Sequence, residues 1–412
     1  MPVRLRATGC LAAASLALTS CTASDSSTDS DQPVEVAWEE VQLPAHPGAP
    51  GRVVGRSVVH CADQGTTRWY VVGAVFLARP TEDQDTRPAA WISIDGTTWA
   101  PVPIDASTFW GQRAILNSAA CSEGRLAAVG ARSGGGHGNP RVTTFDLRAD
   151  GVLVDVQAPF NLYGGVHASN VGPISGGPQG WLIAGNRVSG PAVWVTDDPS
   201  GFTLLEGVPG LADDDRTRAL AQAGTWSEAE GWVVVGGGTS TESGRAVDYE
   251  PFAWVSRDGT TWTRERLPGT QGYDDAVRVV PLGDGLVAVG ISGDGFAAWK
   301  REDGDWAEPV AFGSWAADAS AAPYVASLVT SADGLLATVS DGSAYQLWRS
   351  VDGTTWRQVE VPVQPRTAAD HALAVAASPD EPDALLVTDD GAGLRMWRAT
   401  RGTGVTATPC GR

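Results

Sequence analysis

Basic side chains are few in this chain and lysine is nearly missing: Lys300 stands alone among 29 Lys and Arg, against 48 Asp and Glu. A net charge of −19 excludes a general nucleic-acid binder, which needs a basic surface to displace counterions from phosphates. Long helical periodicities are also scarce. The apolar run Gly9–Leu18 is too short to cross a bilayer, which takes about 20 residues. Cysteines number five. His137, at the tip of a Gly-rich loop, has no partner at metal-ligand spacing. Asp83, Asp85 and Asp213–Asp215 lack the order of an EF-hand loop, so they read as solvated loop acids. No Gly-x-Ser-x-Gly elbow is present. Gly236-Gly237-Gly238 follows a strand but opens no Gly-x-Gly-x-x-Gly turn, so nucleotide binding is not supported. No metal and no cofactor are expected.

What is present in quantity is glycine (50), proline (26) and tryptophan (17), a composition of many short strands and turns. One stretch organises them. Trp254–Trp262 (WVSRDGTTW) recurs at Trp91–Trp99 and Trp348–Trp356. Weaker copies are Trp194–Phe202, Trp299–Trp306, Phe145–Leu153 and Trp397–Val405. The end residues are eight apart in six copies and seven apart in Trp299–Trp306; six copies begin on Trp and four end on it. Asp-Gly between alternating runs is a strong hairpin signal, because Gly accepts a positive φ and Asp bonds its own turn. Seven hairpins at intervals of roughly 45–60 residues suit propeller blades. Each unit adds two earlier strands, such as Val53–Val59 with Trp69–Val75, and a later one, such as Trp262–Leu267. The expected fold is therefore all-β: a seven-bladed β-propeller of four-stranded antiparallel blades over residues 34–412. The Trp opening each third strand should lie between blades, where burial removes roughly 150–250 Å² from water. Trp38–Leu43 has the register of a fourth strand with no third strand before it. Pairing it with the last blade would close the ring and hide an edge. Val405–Cys410 competes for that position.

Residues 1–20 form a targeting segment, with Arg4 and Arg6 ahead of the apolar run. Leu18-Thr19-Ser20-Cys21 resembles the lipobox of bacterial lipoproteins, which implies cleavage before Cys21, its lipidation, and anchorage to the outer face of the cytoplasmic membrane. Residues 21–33, small, polar and acidic, form a disordered tether. Cys61 and Cys121 end the first strands of consecutive units and are the favoured disulfide pair, with Cys410 left over; buried free thiols are the alternative.

The hairpin stretch resembles the Asp box of bacterial-neuraminidase-repeat propellers, best known from sialidases. Ser93, Asp95, Gly96, Thr98 and Trp99 fit its Ser/Thr-x-Asp-x-Gly-x-Thr-Trp pattern, as do Ser256, Asp258, Gly259, Thr261, Trp262 and Ser350, Asp352, Gly353, Thr355, Trp356. Each is one residue shorter between Asp and Trp than the strict form. The resemblance implies a structural turn, away from any catalytic face. Sialidase chemistry also implies an arginine triad, a Tyr nucleophile with a Glu partner and an acid/base Asp. The family's Phe/Tyr-Arg-Ile-Pro start is absent, Gly55-Arg56-Ser57-Val58 being the nearest match. Tyr249 and Glu250 are chain neighbours, which in an extended strand face opposite ways.

Aligning the units on their second strands places Arg56, Arg113, His167, Arg218, Asp275, Tyr324 and His371 just before the first strands. In a propeller these positions ring the mouth of the central channel. Loops opening on the same face bring Arg79, Arg87, Arg132, Arg141, Arg187 and Arg245. Arg forks suit carboxylate or phosphate, so the ring is a candidate ligand site. The competing reading is a neutral structural rim in which Asp213–Asp215, Asp274 and Asp370 pair with these arginines. The expected function is a monomeric, membrane-anchored binding or scaffold module, using its loop-rich face for an envelope protein or for an anionic or glycan ligand. The alternatives are a sialidase-like glycoside hydrolase and an assembly factor for an envelope complex.

Overall fold

The computed structural model describes residues 32–400 apart from 49, 82–83, 136–137, 241–247 and 317–318. The targeting segment, Cys21, nearly all of the tether, Asp83, His137, Arg245, Val405–Cys410 and Cys410 itself therefore lie outside the described residues. Alternating apolar residues separated by glycine turns give seven successive antiparallel sheets. Blades 1 to 6 span residues 51–101, 115–155, 168–205, 217–266, 274–314 and 324–359. Blade 7 takes three strands from residues 372–400 and its fourth from Ala37–Val41. That early strand pairs antiparallel with Leu394–Thr400, from Ala37 opposite Thr400 to Val41 opposite Met396. The innermost strands meet their neighbours around a complete circuit, blade 7 against blade 1. The chain is a seven-bladed β-propeller of four-stranded antiparallel blades.

Two blades vary the pattern. Blade 2 gains a short parallel addition, Ile104–Asp105, beside Leu153–Asp155. In blade 5 the fourth strand is broken into Asp305–Trp306 and Val310–Ser314, both on Gly295–Glu302. This blade carries the hairpin that is one residue short. Its two turn residues, Asp303 (φ 54°) and Gly304 (φ 90°), both have positive φ, as the tightest two-residue hairpin requires.

Seven apolar clusters lie between blades, one at each interface, and the repeat aromatic sits in each. Trp254, for example, packs with Leu182, Ala184 and Val193 of the preceding blade. Phe145 takes the equivalent place against Tyr70 and Val72. These aromatics do not open the third strands, however. Trp91 is the sixth residue of Thr86–Ser93 and Trp254 the sixth of Tyr249–Ser256. The third strands begin earlier, at residues such as Thr86 and Tyr249, that carry no repeat signal in sequence.

The Asp-Gly turns bond as their residue types dictate. Asp258 Oδ1 accepts from the amides of Thr260 (2.8 Å) and Thr261 (2.7 Å), and Ser256 Oγ donates to it at 3.1 Å. Trp262 Nε1 donates to the Gly259 carbonyl at 3.2 Å. Asp95 and Asp352 repeat the arrangement. These amide donors hold all three carboxyls well below the usual carboxylate range. Cys61 and Cys121 are joined in a disulfide, Cα to Cα 5.7 Å, tying the innermost strands of blades 1 and 2.

Candidate functional site: an axial cavity

Antiparallel order puts the Asp-Gly turns and the turns between first and second strands at one end of the disc. The longer loops and the connections between blades lie at the other, where each innermost strand begins. Six of the seven innermost strands are bulged near that beginning, with an extra residue or step at Arg56, Asn117, Gly172–Pro173, Gln222, Val277 and Ala326. A bulge bends its strand and re-aims a side chain. In five of the six, the residue just before the bulge pairs with a glycine of the second strand: Gly73, Gly130, Gly185, Gly236 or Gly290. At Gly290 a Cβ would collide with the Asp275 carbonyl, so the bulge needs glycine opposite it.

The seven innermost strands enclose an axial cavity of about 470 Å³. Small side chains, including Ser57, Ser118, Ser175, Thr225 and Ser327, share its wall with aliphatic ones such as Val58, Val279 and Val375. At its loop end stand Arg56, Arg278, Tyr324, Tyr345 and His371. Arg56 of blade 1 is neutralised. Its Nη1 lies 3.3 Å from Oδ2 of the fully buried Asp389, which also holds Arg52 at 3.4 Å. Arg56 Nη2 donates to the Asp370 carbonyl at 3.2 Å. Tyr324 and Tyr345 share a hydroxyl–hydroxyl hydrogen bond, and Tyr345 Oη donates to the His371 carbonyl at 3.1 Å. His371 Nδ1 lies 2.8 Å from the Arg366 carbonyl, fixing the ring at the mouth.

Arg278 differs from the other cations. Its Nε and Nη1 reach only the carbonyls of Ala326 (3.2 Å) and Val277 (2.9 Å). Among the described residues no carboxylate comes within ion-pair distance of it. Protein surrounds the guanidinium, and Arg278 as a residue is half-buried in the cavity wall. Burial pushes its pKa down to about 10, so it is charged at neutral pH. Tyr324 lies within electrostatic reach of both Arg278 and Arg56. The carboxylate that interacts with Arg278 is Asp275, three residues earlier, which burial pushes up to about 7. Asp275 Oδ2 accepts from Gln222 Nε2 (3.0 Å) and Tyr273 Oη (3.4 Å). Its Oδ1 is buried with no hydrogen-bond partner among the described residues. Tyr273 stacks on Tyr249 at 4.5 Å.

Of the seven residues aligned from sequence, Arg56, Tyr324 and His371 line the cavity together. Asp275 sits behind the wall. Arg113, His167 and Arg218 do not line it. Arg113 and Arg218 each stand four residues ahead of the bulge of their strand, too far along the chain to face the axis. Arg113 instead covers the ring of Phe109 (3.6 Å), and Arg218 reaches Asp213 (3.8 Å). The loop arginines are largely spent locally: Arg132 on Asp85, Arg187 on Glu206 (2.8 Å), and Arg87 on His46. Of the aspartates in the neutral-rim reading, Asp213 meets one of the named arginines, Arg218, whereas Asp214 pairs with Arg264, Asp370 with Arg52, and Asp274 bonds Thr270. Arg278 and Tyr345 were missed. The glycines of the second strands, in Val72-Gly73, Val235-Gly236 and Val289-Gly290, were the available signal, since an interior strand glycine often marks a bulge. Among the described residues no three His, Cys, Asp or Glu come together as a metal site.

No protein-family model matches the sequence, and no curated protein matches it. Solved structures similar to it include an α-L-arabinofuranosidase of Fusarium graminearum in complex with an iminosugar inhibitor (12% identity, 84% of this chain and 92% of that one, TM-score 0.43). Another is an α-L-arabinanase of Penicillium chrysogenum complexed with arabinobiose (11%, 85% and 98%, TM-score 0.44). A third is the Trypanosoma rangeli sialidase in complex with sialic acid (12%, TM-score 0.41); the chain covers 60% of that protein with 89% of its own length.

Proposed function

We propose that this protein is an exported binding module, anchored to the outer face of the cytoplasmic membrane through Cys21, whose axial cavity takes a small anionic ligand such as an acidic sugar. Arg278 carries the reading. A cation enclosed by protein is ordinarily paired, because leaving it without a counter-charge costs several kcal/mol; here the cation belongs to the wall of a cavity of ligand size. A carboxylate or phosphate there would receive a charge-assisted fork from Arg278. The Tyr324 hydroxyl and the wall serines would serve its hydroxyl groups.

The test is calorimetric titration of the full-length protein in detergent with hexuronates, sugar phosphates and neutral hexoses. Acidic ligands should bind, and Arg278→Gln should weaken them about 10- to 100-fold, the worth of a hydrogen-bonded charge. Equal affinity for neutral hexoses, or an unchanged constant in the variant, would sink the reading. The anchor has its own test: radiolabelled fatty acid should enter the wild type and not Cys21→Ser, and the variant should be released from membranes. Label in both would remove Cys21 from the account.

The glycoside hydrolase reading draws on Asp275, behind the cavity wall, whose carboxyl burial pushes up to about 7. General acid catalysis wants such a pKa. Turnover of aryl glycosides that disappears in Asp275→Asn would move the conclusion to that side.

A further inference from the structure

A second pocket, of about 310 Å³, lies off the axis on blade 2, between its third strand and the short helix Phe160–Tyr163. Its wall includes Trp110, Arg141, Phe160 and Tyr163, with Thr108 and Gln157. The guanidinium of Arg141 stands between two rings, 5.9 Å from the centre of Trp110 and 5.0 Å from that of Phe160. Among the described residues it has no carboxylate partner, and its buried Nε has no hydrogen-bond acceptor. On the same blade Arg125 and Arg132 are both paired with aspartates. Two glycines make the room: a Cβ on Gly134 would run into the Trp110 ring, and one on Gly135 into the Arg141 guanidinium. Phe160, at the rim of the pocket, has 64% of its surface exposed.

We propose that this pocket is a separate binding site for a sugar ring bearing a carboxylate. Arg141 supplies the fork for the carboxylate. Trp110 and Phe160 supply flat apolar surface for the C–H face of the ring, and Gln157 in the same wall would serve ring hydroxyls, the Thr108 hydroxyl being engaged by Asp155 and the Gly111 amide. An aliphatic anion would leave the aromatic walls unused, and a neutral sugar would leave Arg141 unanswered.

The experiment is titration of the full-length protein with trigalacturonate, galactose, acetate and benzoate, in wild type, Arg141→Gln, Phe160→Ala and Arg278→Gln. Phe160 is exposed, so Phe160→Ala should fold normally, checked by its thermal midpoint. Trigalacturonate should bind the wild type and bind Arg278→Gln at this site with unchanged affinity. Arg141→Gln should weaken that binding at least tenfold and Phe160→Ala several-fold, with galactose and acetate near background. Binding lost in Arg278→Gln but intact in Arg141→Gln and Phe160→Ala would assign the acid to the axis alone and overturn this proposal. So would the absence of trigalacturonate binding at millimolar concentration, or benzoate binding as tightly as the sugar.

Discussion

At Asp275 the fold holds a carboxyl in surroundings that favour its proton. The groups facing it are the Gln222 amide, the Tyr273 hydroxyl, Tyr249 across the stack, and Arg278 at longer range. Its pKa in the folded chain, about 7, lies above the unfolded carboxyl value. The folded state therefore keeps a proton that the unfolded state has released, and stability falls as pH rises from about 4 toward 7. The contribution is on the order of 2–4 kcal/mol. Asp275→Asn should flatten that part of the profile when urea midpoints are compared at pH 5 and pH 8. An equal slope in both proteins would mean that the carboxyl is already ionised in the fold. The turn carboxyls Asp95, Asp258 and Asp352 work in the opposite sense. Their depressed pKa values add stability that is present above the unfolded carboxyl value and lost as pH falls below it.

Within a blade, the two halves of the repeated stretch contribute unequally. Trp254 is fully buried at the interface of blades 3 and 4, so Trp254→Ala should cost about 3–5 kcal/mol. Asp258→Ala, in the same stretch, removes acceptors for two exposed turn amides that water can serve; it should cost about 1 kcal/mol. Denaturant unfolding of the two variants gives the comparison, and a turn variant as damaging as the core variant would overturn the ranking. Asp-Gly and the spaced tryptophans were visible in sequence because turn chemistry and interface burial each demand particular residue types. The bulges of the innermost strands were less visible. They shift the register by one residue, or two against one at Gly172–Pro173, and a period-two pattern counted through them loses its phase. For that reason Asp275 was aligned to the channel when Arg278 faces it, and Arg113 and Arg218 were placed there too early in their strands.

For the whole molecule, the disc is fastened twice: by the early strand Ala37–Val41 in the last blade and by the Cys61–Cys121 bond between the first two. The bond closes a loop between residues 60 apart, worth about 4 kcal/mol by loop entropy. Reduction should lower the unfolding free energy by about that much while circular dichroism keeps its native form, because the interface clusters remain. Collapse of the β signal on reduction would show instead that blades 1 and 2 depend on the bond to fold.

The sequence by itself determined the number of blades and the bonding of the Asp-Gly turns, and it nominated without deciding the closing strand and the Cys61–Cys121 pair. These follow from local chemistry repeated at a fixed interval, which survives without knowledge of what lies across the axis. Tertiary structure alone decided which cations are neutralised and which are not. Arg56 meets Asp389 from 333 residues away, Arg278 has no carboxylate within ion-pair distance among the described residues, and Arg141 comes to rest near Trp110 and Phe160. Electrostatic pairing depends on distances of a few ångströms between residues far apart in the chain, and no local pattern encodes them.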